Sequence, residues 1–158
     1  MKRIWMLCTL ISFLIIFDQI TKGLVQDQIQ YGHIIEVIPG FFNLTHIHNS
    51  GAAFGFGSGF EIYLRKLLFL FLPVLACLWL IYLIFKTLKN QILLVLSYSF
   101  ILGGAVGNLI DRFAYGYVVD FLQFYYNNAY FPAFNVADSA ITVGAVLLGI
   151  DFVMNLKK

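Results

Sequence analysis

The chain alternates between long apolar runs and shorter polar stretches. A bilayer core needs about 20 mostly apolar residues per spanning helix. Four segments meet that length or come close: about residues 4–24, 67–85, 91–112 and 136–156. Leu67 to Phe85 and Gln91 to Ile110 carry no charge at all. The first run is interrupted by Asp18 and Lys22, and the fourth has Asp138 near its start and Asp151 near its end. Between the spans lie two longer segments, about 25–66 and 113–135. In the first, Ile34 to Ile38, then Pro39-Gly40, then Phe41 to His48 predict two strands about a turn. In the second, Pro132, Asn127 and Asn128 argue against a fifth span. Its tyrosines (Tyr115, Tyr117, Tyr125, Tyr126, Tyr130) suggest an interfacial aromatic belt.

Composition agrees with a membrane protein. Of 158 residues 61% are hydrophobic and only 11% charged, with a net charge of +2. A soluble fold of about 150 residues buries only about 70% of its chain surface and could not hide so much apolar area. Disordered chains are polar and poor in aromatics. The few basic residues form no cluster of the kind nucleic acid requires. Lys2 and Arg3 followed by an apolar run resemble a signal peptide, but Asp18-Gln19-Ile20-Thr21-Lys22 follows where a small-residue cleavage site would stand, so a retained helix is expected. Cys8 and Cys77 lie in apolar runs and are expected to be buried, inert thiols.

Charge orients the spans. Lys2, Arg3, Lys86, Lys89, Lys157 and Lys158 fall on one side of a four-span bundle, which the positive-inside rule makes cytoplasmic, with both termini inside. Asp18, Asp27, Glu36, Glu61, Asp111, Asp120 and Asp138 then lie at or beyond the outer face. The expected fold is membrane all-α, one domain over residues 1–158, with a small extracytoplasmic β-sheet. Gly103 with Gly107, Ala140 with Gly144, and Ala145 with Gly149 are small-residue pairs that would let helices touch.

Ionisable groups in spans are costly and point to function. Asp18 and Lys22 sit one turn apart in the favourable i,i+4 order. Asn108, Asp111 and Arg112 end the third span, Asp120 follows, and Asn135 and Asp138 open the fourth. Antiparallel packing would gather these ends at one depth. Asp120 and Asp138 have no cation nearby in sequence. Two carboxylates close together in an apolar setting share a proton, and such a pair can activate water and protonate a leaving group. Helix caps or boundary charges are the simpler account of the same acids. Asn135 suits an N-cap as well as a carboxylate partner. Asn49 before Ser50-Gly51 suits a turn, with the glycine allowing close backbone approach. His46 and His48 share a strand face but have no third ligand in view, so no metal is expected. No nucleophilic-serine or phosphate-loop motif occurs.

Five blocks in order carry a resemblance. Asp18-Gln19-Ile20-Thr21-Lys22, Asn49-Ser50-Gly51-Ala52-Ala53-Phe54-Gly55, Gly104 to Arg112, Val118-Val119-Asp120-Phe121, and Phe134-Asn135-Val136-Ala137-Asp138 together resemble the bacterial lipoprotein signal peptidases, or signal peptidase II. The likeness covers nearly the whole chain. It departs at His48, where that family often has Arg, and at Phe131, where Trp is frequent.

The resemblance implies an intramembrane aspartyl endopeptidase. Its substrates are diacylglyceryl-modified prolipoproteins, cleaved just before the lipidated Cys. It also implies Asp120 and Asp138 as the catalytic pair, with Asp18, Lys22, Asn49, Gly51, Asn108, Arg112 and Asn135 supporting them or touching substrate. The outer sheet would map to residues around 30 to 60. Globomycin-type inhibition, no cofactor, a monomer among membrane lipids, and residence in the bacterial cytoplasmic membrane with the site near its outer face complete the expectation. A proton-linked transporter and a non-enzymatic lipoprotein-binding scaffold are the alternatives.

Overall fold

The structure is a computed structural model and describes residues 2–51, 56–87 and 91–156. Lys89, Lys157 and Lys158, used above for orientation, and Ala52 to Gly55 of the second block lie outside the described residues. Among the described residues four helices are long and apolar enough to cross a membrane: α1 (Lys2–Gln28), α2 (Ile62–Thr87), α3 (Ile92–Ala114) and α4 (Val136–Leu156). The 27 residues of α1 rise about 40 Å, more than the thickness of a bilayer core. Three of the helices extend past their expected limits. Most notably, α2 starts at Ile62 and takes Arg65 and Lys66 into its opening turns, with a π-type stretch at Leu67–Phe71.

Helix α3 is the hub. It packs on α1, α2 and α4. Leu102 and Leu109 join Leu7, Cys77 and Ile84 in the core, while most apolar residues of the other helices face outward. Cys8 is among the outward-facing residues, contrary to expectation; only Cys77 is buried. Two glycines of α3 set the helix spacing near its polar end. A methyl at Gly104 would collide with the carbonyl oxygen of Ala137, and one at Gly107 would sit 2.7 Å from Asp18 Oδ2. Gly103 faces Leu14 of α1, and Gly144 faces Ser97 and Ile101 of α3. Ala145 and Gly149 mark no contact: Ala145 is exposed and a side chain at Gly149 would meet open space.

Strands β1 (Ile34–Ile38), β2 (Phe42–Asn49), β3 (Val118–Tyr126) and β4 (Ala129–Tyr130) form one antiparallel sheet in sequence order. The sheet therefore reaches well beyond residues 30–60. β3 was hidden by its composition, Val-Val-Asp-Phe-Leu-Gln-Phe-Tyr-Tyr, which does not alternate. The physical reason is burial on both faces over its first half. Val119 and Phe121 pack on Val25 and Ile29 at the end of α1, while Val118 and Asp120 line a cavity on the other side. Two of the belt tyrosines serve the sheet instead. Tyr117 stacks on His48, and Tyr125 bonds Glu36 and the amide of Gly40.

Strand β2 carries a bulge. Leu44 pairs with Leu122, yet Ile47 pairs with Asp120, so β2 spends one extra residue between these pairs. An extra residue inverts which face the following side chains occupy. The bulge thus turns Ile47 and Asn49 to the face of Asp120.

Candidate active site

The C-terminal ends of α1 and α3 and the N-terminal end of α4 converge on the start of β3. There a cavity of about 640 Å³ is lined by Asn49, Asn108, Arg112, Asp120 and Asp138. Its remaining wall is mainly apolar, from Phe131 to Phe134 and from Ile141 to Val143.

Asp138 begins α4 in a reciprocal cap. Asn135 Oδ1 accepts the Asp138 N–H at 2.9 Å, and Asp138 Oδ2 accepts the Asn135 N–H at 3.3 Å. This is a capping box with Asn at the N-cap and Asp three residues on. The cap leaves Asn135 Nδ2 pointing at β3, where it donates to Asp120 Oδ1 at 2.7 Å. The simpler cap reading and the carboxylate-partner reading of Asn135 therefore both hold. One side chain does both.

Two further amides face the acids, each held by something behind it. Asn49 Nδ2 donates to Asp120 Oδ2 at 3.0 Å, while its Oδ1 accepts the Gly51 N–H at 3.0 Å. Asn108 Nδ2 donates to Asp138 Oδ1 at 2.7 Å, while its Oδ1 accepts from Lys22 Nζ at 3.0 Å. An ammonium only donates, so Lys22 dictates which way that amide points. All four carboxylate oxygens of Asp120 and Asp138 thus accept N–H bonds.

Gly51 is packed against its own chain. A side chain there would strike the backbone of Phe56 and Ser58, and its carbonyl accepts Arg112 Nη2 at 2.9 Å. The close approach expected at this glycine is made by residues 56–58. Asp18 and Lys22 are 1% and 2% exposed and lie behind the cavity wall. Lys22 bridges Asp18 at 2.8 Å and Asp111 at 3.0 Å. Sequence reasoning singled out neither Asp111 nor Gln19 as a site residue. Gln19 Nε2 reaches Asp111 Oδ1 at 2.9 Å and Gly107 O at 3.1 Å. The available signal was a carboxylate sharing a span end with Asn108, but its sequence neighbour Arg112 pointed to the wrong partner.

Burial, and after it the charge of Asp138, pushes the Asp120 carboxyl up to about 7, against the pull of the Asn49 and Asn135 amides and of Lys22. His46 and His48 bond each other at 3.1 Å on the opposite face of β2, and His46 Nδ1 bonds the Ile29 carbonyl at 2.8 Å. His48 also stacks on Tyr117, and it lies outside the cavity lining. Among the described residues no group of three or more His, Cys, Asp or Glu could hold a metal.

The sequence profile of the family described as Signal peptidase (SPase) II matches residues 10–154. The chain belongs to the signal peptidase II family. Among its relatives, the lipoprotein signal peptidase of Desulforapulum autotrophicum is 46% identical over 149 residues, covering 94% of this chain and 92% of that one. That of Acinetobacter baylyi is 44% identical over 151 residues, covering 94% and 80%. A bacterial membrane enzyme solved by the in meso method superposes with a TM-score of 0.83 at 32% identity, covering 97% of this chain and 90% of that one. Signal peptidase II membership and the fold agree: four apolar helices with a small antiparallel sheet.

Proposed function

We propose that this chain removes the signal peptide from diacylglyceryl-modified prolipoproteins by cutting before the lipidated Cys, with Asp120 and Asp138 as its catalytic pair. The observation that carries the reading is that both carboxylates open on one cavity and are tied together through Asn135.

A buried aspartate with a pKa near 7 is substantially protonated at neutral pH. Asp120 is then the member that donates a hydrogen bond to the scissile carbonyl. Asp138, whose oxygens accept N–H bonds from Asn108 and the Asn135 backbone, is the base that takes a proton from the attacking water. The tetrahedral intermediate collapses when the departing amine is protonated by the pair. Arg112 and Asn49 at the rim contact substrate, and the apolar wall along α4 accepts its greasy part. No cofactor takes part.

Helix direction puts Lys2, Arg3 and Lys86 at the end of the bundle away from the cavity, and by the positive-inside rule this supports a cytoplasmic position for that end, with the cavity at the outer face of the bacterial cytoplasmic membrane. All five residues of β1 are exposed, four of them apolar, which suits a strand lying on lipid headgroups. Every group named comes from one chain, so a monomer suffices.

The test is cleavage of a diacylglyceryl-modified prolipoprotein by the purified protein in detergent. Asp120→Asn and Asp138→Asn should each abolish cleavage while substrate still binds. Robust turnover by either variant would reject the pair, and a scaffold would bind without cutting even as the wild type.

A further inference from the structure

The buried ions Asp18, Lys22 and Asp111 have an arrangement that family membership does not explain. Each proposed catalytic aspartate is preceded by a residue whose backbone N–H is held by one of the two carboxylates. Asp111 Oδ2 accepts the Val119 N–H at 3.0 Å, one residue before Asp120. Asp18 Oδ1 accepts the Ala137 N–H at 2.8 Å, one residue before Asp138. Both carboxylates are bridged by the same ammonium, Lys22 Nζ. Its third bond goes to Asn108, whose amide faces Asp138. Asp18, Lys22 and Asp111 are 1%, 2% and 1% exposed, and none of them lines the cavity.

We propose that Asp18, Lys22 and Asp111 form a substrate-free clamp, in which Asp111 positions Asp120 through the Val119 amide, Asp18 positions Asp138 through the Ala137 amide, and Lys22 sets the separation of the two. The proposal rests on Asp120 and Asp138 being the catalytic pair. The geometry has a physical logic. A strand and a helix start from different parts of the chain and have no covalent reason to keep a fixed separation. A carboxylate accepting a backbone N–H holds main chain, not a rotatable side chain. One cation shared by two such carboxylates makes the two anchor points a single unit, and removing that cation would leave two buried carboxylates without a counter-ion. Gly107 is part of the arrangement, because a methyl there would push on Asp18. Gln19 completes it by donating to Asp111 Oδ1 and to Asp18 Oδ2 at 2.9 and 3.2 Å. These three ions are positioning residues, not catalytic ones, because none of them lines the cavity.

The experiment compares wild type, Asp111→Asn, Asp18→Asn and Gln19→Met in detergent with the prolipoprotein substrate, with Asp120→Asn and Asp138→Asn run in parallel. Asn at 111 or 18 keeps an oxygen for the backbone amide and removes the charge that faces Lys22. The expected result is a kcat lowered about 10- to 100-fold with KM within about twofold of wild type. Charge gives a second readout. The ions acting on Asp120 are Asp138, Lys22 and Arg112, and Asp111 reaches it through Lys22, so loss of the Asp111 charge leaves the Lys22 cation less neutralised and should move the kinetic limb of Asp120 to lower pH. Gln19→Met keeps every charge, so it should lower kcat several-fold without moving that limb. Because Gln19→Met is the mildest change, it decides the matter if the charge variants fail to fold. A wild-type kcat in Gln19→Met or in a folded Asp111→Asn overturns the clamp. So does a KM raised tenfold at unchanged kcat, which would make the residue a substrate contact. If Asp120→Asn or Asp138→Asn still cleaves, it is the catalytic pair that fails, and not the clamp alone.

Discussion

Asn135 and Asp138 cap each other across the first turn of α4, side chain to backbone in both directions. The helix start and the placement of the Asp138 carboxylate at the cavity are consequently one structure. Asn135 adds a bond to Asp120, so substitutions there can separate capping from catalysis. Asn135→Ser keeps a cap oxygen and loses the donor to Asp120. It should cost about 1–3 kcal/mol, because the buried acceptors on Asp120 and Val119 lose the Asn135 amide, while kcat falls at least tenfold. Asn135→Ala should lose that activity and in addition about 1 kcal/mol of stability. Thermal melts and cleavage rates on the same preparations distinguish the two.

The Asp120 pKa of about 7 has a signed consequence for stability. An unfolded aspartate titrates near about 3.9. Between these values the folded chain holds a proton that the unfolded chain has released. Stability from this group is fully present below about pH 4 and is lost as pH rises through about 7. Asp120→Asn should flatten that decline, so its melting temperature should gain on wild type as pH increases.

Catalysis should follow the same group. If Asp120 is the proton donor, cleavage has an alkaline limb centred near pH 7 and falls about tenfold per pH unit beyond it. A rate that stays flat from about pH 6 to 9 would assign the proton elsewhere.

Helix contact can be tested at Gly104. Alanine there meets the carbonyl oxygen of Ala137, which is backbone and cannot swing aside. Gly104→Ala should cost about 1–3 kcal/mol and reduce cleavage, because α4 carries Asp138. Gly149→Ala meets nothing and should stay within about 0.5 kcal/mol of wild type.

A chelator should leave turnover unchanged, because His46 and His48 are engaged with each other, with Ile29 and with Tyr117. Strong inhibition by a chelator would reopen a metal at that histidine pair.

Much of this could be seen in the residues themselves. The four spans follow from uninterrupted apolar runs, and β1 with β2 follows from hydrophobic runs about Pro39-Gly40. The gathering of Asp18, Lys22, Asn108, Asp111, Asp120 and Asp138 follows from antiparallel helices. What could not be seen depends on three dimensions. β3 has no alternating pattern because it is buried on both faces at its start. The bulge that turns Asn49 toward Asp120 has no glycine or proline to announce it. Asp111 adjoins Arg112 in sequence but bonds Lys22, since neighbours on a helix point apart.

Asp138 stands in α4, and Asp120 stands in β3, a strand completed before that helix begins. A chain still being made therefore has one acid and not the other. With Asp120 and Asp138 proposed as the catalytic pair, such a chain has no complete site, and cleavage waits for α4 to dock against α3.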